Sequence, residues 1–281
     1  HTTAVLNTLS DIDLIHLHGH RHLLNTAAVK WARSNNIPYI MTANGTLKRH
    51  ERKRRIKWFW DQLFAGHIPA NAECCVAVSA TDVQQHLDYG IEENRIQHIA
   101  NGIELAQFNA IAETPSFRQN LSPGAPMLTY LGQLSPRKGV NHLIEAFSAL
   151  NHPTAWLMIA GNNVGSYGQH LRKSTNHPRI RFTGVLRGPT RLKLLQESDG
   201  LIYPSKDEIF GLVPFEALMC GTPVIVGNDS GCGELIRKAN AGLLVPHGDS
   251  LELSKALRTL LSAPEKMNVL VANGQEYTRR F

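Results

Sequence analysis

The sequence predicts an α/β protein built from two Rossmann-like halves, each a parallel sheet with crossover helices. Three observations carry this expectation. Short apolar runs of strand length alternate with stretches of helical apolar spacing along the whole chain. A polar break over residues 108–126, with Pro115, Ser122-Pro123-Gly124 and Pro126, cuts the alternation in two. The 281 residues, 42% hydrophobic and 7% aromatic, suffice for two globular domains of ordinary size. The expected division is a partial first domain over residues 1–110, a linker over 111–126 and a second domain over 127–281.

In the first half, the apolar runs at 12–17, 39–42 and 75–79 read as strands, and the stretches at 24–34, 52–64 and 82–89 carry helical spacing. In the second half, strands are expected at 127–131, 156–160, 181–183, 201–203, 224–226 and 243–245. Helices are expected between and after them at 140–150, 189–196, 212–219, 233–239 and 250–261. In such a pair of domains a ligand sits at the carboxyl ends of the strands, in the cleft between the halves. The loops that leave those ends are therefore where functional residues belong. No internal repeat or low-complexity segment interrupts the pattern.

Composition narrows the class. No apolar run approaches the roughly 18 residues of a membrane span, and the first residues do not resemble a signal peptide, so a cytoplasmic protein is expected. Cys74, Cys75, Cys220 and Cys232 lack Cys-x-x-Cys spacing and read as reduced, buried thiols. Residues 48–57 hold seven Lys/Arg and one Glu, so this block alone accounts for the net charge of +6. Followed by Trp58-Phe59-Trp60, the segment 48–60 reads either as a patch for anionic lipid head groups at the inner face of a membrane or as a solvated helix face with a core-facing aromatic side. No nucleic-acid-binding motif accompanies it, so a nucleic-acid partner is not expected.

Residues 203–227 are the most informative stretch. They place Glu208 in a strand-to-helix loop and Glu216 about a turn inside the helix that Phe210-Gly211 opens. Backbone N–H groups around Phe210, Gly211 and Leu212 would be free at that helix N-terminus, where the helix dipole favours a diphosphate or hydroxyl oxygens. Ionised carboxylates beside them accept hydrogen bonds from sugar hydroxyls, so the arrangement suits a nucleotide-sugar; a lone Glu pair at this spacing is otherwise a helix cap plus a solvated Glu.

The same stretch, Pro204-Ser-x-x-Glu208-x-Phe-Gly211-x-x-x-x-Glu216-Ala followed by Gly221-x-Pro-Val224, resembles the donor-site signature of retaining glycosyltransferases of family 4 at every position. The resemblance extends through Asp13-Leu-Ile-His-Leu-His-Gly19, Val78-Ser79, Ala100-Asn-Gly-Ile-Glu104 and Gly132-Gln-Leu-Ser-Pro-Arg-Lys-Gly139. It implies the GT-B fold, two Rossmann-like domains facing a cleft. Relative to the family the first domain begins late, without the opening strands and glycine-rich loop, so a truncated first domain is expected. Residues 276–281 resemble the start of the family's last helix.

By this resemblance Lys138 stabilises the leaving diphosphate, while the backbone around Val185 and Leu186 holds the base; uracil, guanine and adenine all fit. Glu216 holds the ribose hydroxyls, and Glu208 with the amides of Phe210, Gly211 and Leu212 orients the sugar. The family has Arg where Gln133 stands, so its two-cation clamp is reduced here unless Arg137 or another base swings in. On the acceptor side, His18-Gly19 resembles the family's strand-end His, and Asn44-Gly45 stands where the family often has His before Gly. Asn44 can hydrogen-bond a hydroxyl but cannot relay a proton in its place.

Two other patterns point elsewhere and are set aside. His16, His18, His20 and His22 alternate as zinc ligands might, yet no Cys or carboxylate completes a tetrahedral set. Asp11-Ile-Asp13 spells a metal-site tripeptide of a different transferase fold, but it precedes a strand in the other domain. No metal and no cofactor is expected beyond the donor itself. The implied function is retaining, metal-independent transfer of a sugar from a nucleotide-diphosphate donor to a hydroxyl of a glycan or lipid-linked acceptor, as in cell-surface polysaccharide or lipopolysaccharide assembly. The alternatives are a weak or silent nucleotide-sugar-binding protein and another GT-B enzyme such as a nucleotide-sugar epimerase.

Overall fold

The computed structural model describes residues 5–8, 10–48, 54–111, 114–163 and 165–281, and the chain divides into two compact units, His1–Ala100 and Asn101–Phe281. The first unit runs β1 (Ile15–His18), α1 (Leu23–Ser34), β2 (Tyr39–Thr42), α2 (Arg54–Trp60), a π-turn (Asp61–Ala65), α3 (His67–Ala70), β3 (Cys74–Ala77), α4 (Ala80–Tyr89) and β4 (Ile96–His98). Its four strands form one parallel sheet in the order β1-β2-β3-β4. His18 pairs with Thr42 and Thr42 with Val76, so the carboxyl ends share one edge. Leu17, Val29, Tyr39, Met41, Ile68 and Cys75 pack the core.

Side-chain chemistry explains where two of these elements differ from expectation. Ser79, expected as the end of a strand, leaves the sheet to accept the Asp82 N–H at 3.2 Å, and α4 starts at Ala80. The strand Ile96–His98 was not anticipated, because Ile-Gln-His at a sheet edge is half polar and largely exposed. Of the helix expected over 52–64, residues 52 and 53 lie outside the described residues.

The second unit contains β5 (Met127–Leu131), α5 (Val140–Leu150), β6 (Trp156–Ala160), α6 (Tyr167–Ser174), β7 (Ile180–Gly184), α7 (Gly188–Gln196) and β8 (Gly200–Tyr203). It continues with α8 (Leu212–Met219), β9 (Val224–Gly227), α9 (Gly231–Ala239), β10 (Leu243–Val245), α10 (Ser250–Ser262) and α11 (Pro264–Thr278). Six parallel strands lie in the order β10-β9-β8-β5-β6-β7. Every residue of β5, β8 and β9 is buried, which is why these strands read as continuous apolar runs.

The chain winds outward from β5 through β6 to β7, then returns to lay β8 on the other flank of β5. The direction of winding therefore reverses between β5 and β8. Loops on either side of such a reversal splay apart at the carboxyl edge and leave a crevice for a ligand. Here those loops are 132–139 and 204–211.

The compact units divide after Ala100, so the described residues between 101 and 126 pack with the second unit. The expected linker is tied down: Phe117 N–H donates to Glu197 Oε2 at 2.7 Å, and Arg118 donates to Asp199 Oδ2 at 2.6 Å and to the Glu197 carbonyl at 2.8 Å. Helices α6 and α11 were not anticipated, although Pro264 is a regular opening residue for a helix. Residues 276–278 close the 15-residue helix α11 and do not begin a new one.

Candidate functional site

The loop after β5 is held in shape from both sides. Gly132 N–H donates to the Ala160 carbonyl at 3.0 Å, and Leu134 N–H to the Asn162 carbonyl at 2.8 Å. Gly161 has φ +154, and a Cβ there would lie 1.6 Å from the Gly132 oxygen, so only glycine lets the exits of β5 and β6 touch. A 3₁₀ turn, Pro136–Lys138, then brings Lys138 to the top of β8. Gln133 projects an exposed side chain, while its carbonyl accepts from the Tyr130 hydroxyl at 2.8 Å.

Lys138 and Glu208, expected to act on one donor, are in contact. The Lys138 ammonium is buried, donates to Tyr203 Oη at 2.8 Å and forms an ion pair with Glu208 Oε2. Tyr203 donates in turn to Glu208 Oε2 at 3.1 Å. Burial lowers the Lys138 pKa below the usual lysine value, and the Glu208 charge opposes that shift. Arg137 stitches the two loops together: its Nη1 donates to the carbonyls of Lys206 and Asp207 at 3.0 Å each and lies 4.0 Å from Glu208 Oε2.

Gly211 is the N-cap of α8 at φ 73 and ψ 77, a left-handed conformation that frees the first amides of the helix. A Cβ on it would come 2.8 Å from Cys232 Sγ and 3.2 Å from Glu208 Cγ. Phe210 is buried against Phe215 and Phe281, so its ring belongs to the core. Leu212 is 40% exposed beside it. Val185 and Leu186 follow β7, two strands from β5 on the same edge, with Val185 exposed and Leu186 half-buried.

Glu216 sits in α8, buried to 7% exposure, and its Oε2 is ion-paired with Arg191 of α7. Arg191 also donates to Gln107 Oε1 at 2.9 Å. Sequence reasoning missed Arg191, since neither Arg of Arg187-Gly-Pro-Thr-Arg191-Leu carries a local pattern; the packing of α7 on α8 gives Arg191 its partner.

In the first unit the expected acceptor-side residues lie on neighbouring strand exits. His18 is exposed at the end of β1, its ring 4.3 Å from that of His16. His16 Nε2 lies 2.7 Å from Thr42 Oγ1, and burial, then the His18 charge, lowers the His16 pKa. Gly19 N–H donates to the Thr42 carbonyl at 2.9 Å, and Asn44 and Gly45 take left-handed φ values of 50 and 72 in the adjoining turn. Beneath them Arg21 grips Asp61 through Nε at 2.7 Å and Nη2 at 2.8 Å, and Asp61 also faces His20 at 3.3 Å. The sequence held a hint of this anchor: Asp61 is the acid that closes a basic and aromatic stretch.

Residues 49–53 and the side chains of residues 54 and 57 lie outside the description. In the described part of the segment, Ile56, Trp58 and Phe59 are 62%, 46% and 61% exposed, so these apolar side chains are not core. No helix among the described residues is long and apolar enough to cross a membrane.

Comparison with known proteins places this geometry. Residues 112–277 match the family Glycosyl transferases group 1, and residues 3–107 match Glycosyltransferase Family 4. The chain is 28% identical over 263 residues to a glycogen synthase of Mycobacterium tuberculosis, covering 88% of this chain and 60% of that protein. It is 30% identical over 234 residues to a D-inositol 3-phosphate glycosyltransferase of Rhodococcus jostii, covering 78% of this chain and 52% of that protein. The chain thus spans little more than half the length of these relatives. Among solved structures, Anabaena Alr3699/HepE in complex with UDP-glucose superposes with a TM-score of 0.81 at 21% identity, over 99% of this chain and 77% of that one. Sucrose-phosphate synthase from Thermosynechococcus elongatus does so with a TM-score of 0.77 at 23% identity, over 95% and 69%. The two parallel sheets of four and six strands are those of a GT-B glycosyltransferase fold.

Proposed function

The chain belongs to the Glycosyl transferases group 1 family, and from that premise we propose that it transfers a sugar from a nucleotide-diphosphate donor to a hydroxyl group, with retention at the anomeric carbon. The observation that carries the reading is the Lys138–Glu208 pair beside the freed amides of Gly211 and Leu212, all at the reversal point between β5 and β8. A cation and a helix N-terminus face a diphosphate, and a carboxylate faces hydroxyls, so one pocket edge supplies both needs of a sugar nucleotide.

In the proposed reaction the bond between the anomeric carbon and the diphosphate oxygen breaks, and its electron pair leaves with the diphosphate. The acceptor oxygen bonds to the anomeric carbon from the same face, and its proton passes to a donor phosphate oxygen. Lys138 and the Phe210–Leu212 amides stabilise the charge on the leaving group; a fixed cation in a poorly hydrated site contributes several kcal/mol, on the order of 3, to such a step. Glu208 orients the sugar, Glu216 the ribose, and the exposed edge at Val185 and Leu186 takes the base. His18, Gly19, Asn44 and Gly45 are assigned to the acceptor side. Since Lys138 supplies the charge, chelation of divalent metal should leave the rate unchanged.

A glycan or lipid-linked acceptor in surface-polysaccharide assembly is the proposed physiological substrate, handled by an enzyme held at the inner face of a membrane. The exposed Ile56 within the basic block and Trp58 and Phe59 just after it support this. One relative in fold is described with UDP-glucose bound, so UDP-sugars head the donors to be tested.

The test is thermal denaturation with UDP-, GDP- and ADP-sugars, on the parent and on Glu216→Gln, followed by donor turnover. A ligand at 100 times its Kd stabilises by about 2.7 kcal/mol. The reading requires a shift with one nucleotide class that is diminished in the variant; no shift with any of them would sink it. A second reading, a nucleotide-sugar-binding protein without transfer, is favoured by one feature: Gln133 stands exposed and uncharged in the phosphate loop. Binding without turnover, with turnover gained in Gln133→Arg, would support it.

A further inference from the structure

We propose that Tyr203 is a positioning residue whose hydroxyl bridges Lys138 and Glu208 and so holds the ammonium toward the donor while the carboxylate is free to exchange partners. This inference rests on the donor site proposed above and assigns a role to a side chain outside it. Tyr203 is the last residue of β8, 5% exposed. Its oxygen accepts from Lys138 Nζ at 2.8 Å and donates its proton to Glu208 Oε2 at 3.1 Å. A phenol can do both at once, because one O–H leaves two lone pairs for acceptance.

The ring is buried and packed in this position. Tyr130 of β5 lies nearly parallel to it, centroids 6.3 Å apart at 14°, and is itself fixed by donating to the Gln133 carbonyl at 2.8 Å. Gly132 lies beside both rings, where a Cβ would stand 2.9 Å from Tyr130 Oη and 3.5 Å from the Tyr203 ring. The Lys138 ammonium also lies 4.8 Å from the Tyr203 ring centroid, within cation–π range.

The consequence concerns what happens when a donor arrives. Lys138 and Glu208 are each other's partner, and sugar hydroxyls would draw Glu208 away. Without the tyrosine, Lys138 would then sit buried with one acceptor fewer, an unfavourable position for a charge. With it, the ammonium keeps a fixed acceptor throughout. The charged and titratable groups facing Lys138 are Glu208 from the loop after β8, Tyr203 from β8, Cys232 from α9 and Arg137 from its own turn. Burial, and next the Glu208 charge, hold the Tyr203 phenol well above its ordinary value, so it remains a neutral donor and acceptor across the working pH range.

The experiment has a substrate-free arm and a kinetic arm. In the first, the protein carrying ¹³Cε-lysine is titrated by NMR in the parent, Tyr203→Phe and Tyr130→Phe, with Lys138→Arg to assign the resonance. Tyr203→Phe should move the Lys138 midpoint to lower pH and Tyr130→Phe should leave it in place. An unchanged midpoint in Tyr203→Phe overturns the proposal. Should that variant fail to fold, replacement of tyrosine by 3-fluorotyrosine keeps the hydroxyl but weakens its oxygen as an acceptor; it should move the midpoint the same way, and no movement again overturns it.

In the kinetic arm, turnover of UDP-glucose by Tyr203→Phe should fall about ten- to a hundredfold in kcat, with KM within about threefold of the parent, as expected for a lost hydrogen bond to a charged group. The basic limb of the pH profile should fall with the NMR midpoint. A proportional loss of kcat, donor binding and Tm with an unmoved limb marks a merely structural tyrosine and overturns the proposal. If the parent turns over no sugar nucleotide, the transferase reading fails, and the NMR arm still decides whether Tyr203 holds Lys138.

Discussion

Replacing Gly211 by Ala isolates how the donor loop is built. Two costs add. An L-residue at φ 73 costs about 1–2 kcal/mol relative to glycine. The new methyl would also lie 2.8 Å from Cys232 Sγ and 3.2 Å from Glu208 Cγ. Cys232 is 2% exposed and cannot retreat, so this overpacking costs a further ~1–3 kcal/mol. The sum is about 2–5 kcal/mol, or roughly 4–20 °C in Tm for a unit of this size.

Gly221→Ala is the control, because Gly221 has φ 84 and nothing within 4 Å of its would-be Cβ. It should show only the backbone cost, about 1–2 kcal/mol. The assay is calorimetric Tm with and without UDP-glucose. Gly211→Ala should lose more Tm than Gly221→Ala and also lose most of the ligand-induced shift, since the contact with Glu208 moves the carboxylate. Adding Cys232→Ala, which removes the 2.8 Å contact, should restore part of the Tm. Equal losses in the two glycine variants would refute the claim that the loop is sterically closed at Gly211.

Arg191→Ala should destabilise the second unit by about 1–3 kcal/mol, because Glu216 is left buried without its cation; chemical denaturation measures this, and Arg191→Lys should recover part of it. Burial pushes the Cys75 thiol up to about 11 and the Cys220 thiol up to about 12, from 9.0. Their contribution to stability is thus complete below pH 9.0 and is lost as pH rises through those values, so urea midpoints should fall above pH 9.0 and less so in Cys75→Ala and Cys220→Ala. In flotation with vesicles containing a third phosphatidylglycerol the parent should co-migrate, and Trp58→Ser/Phe59→Ser should not; binding to neutral vesicles alone would contradict the charge argument.

Much of the second unit is legible in the sequence because its central strands are buried on both faces. Gly200–Tyr203 and Val224–Gly227 need apolar residues at every position, and a continuous run is hard to mistake once Gly and Pro bound it. Glu208, Gly211 and Glu216 are legible for a different reason: a left-handed cap and two carboxylates at fixed offsets lie within one loop and helix. What the sequence does not carry is which loops meet. Lys138 and Glu208 are 70 residues apart, and their contact exists because β8 returns to pair with β5, a fact of sheet order and not of local pattern. The same holds for Arg191 with Glu216 and for Arg21 with Asp61, 40 residues apart. Edge strand β4 escaped for the opposite reason, its short polar sequence being shaped by the neighbour it pairs with.

The partners found in the structure change what the carboxylates imply. A free Glu208 or Glu216 would simply wait for hydroxyl donors, but each already holds a cation. On the donor site proposed above, binding is then an exchange: hydroxyls replace Lys138 at Glu208, and the released ammonium turns to the diphosphate. In that proposal desolvation is shared between the two steps, since Tyr203 hydrogen-bonds both Lys138 and Glu208. Loops 132–139 and 204–211 together carry Arg137, Lys138 and Lys206 against Asp207 and Glu208, an excess of one cation before any ligand enters. Arg137 is fixed by carbonyl oxygens and not by a hydrogen-bonded carboxylate, so its charge is not consumed by the exchange. A neutral residue at position 133 is compatible with the proposed site, because Arg137 and Lys138 place positive charge at the far end of the same loop.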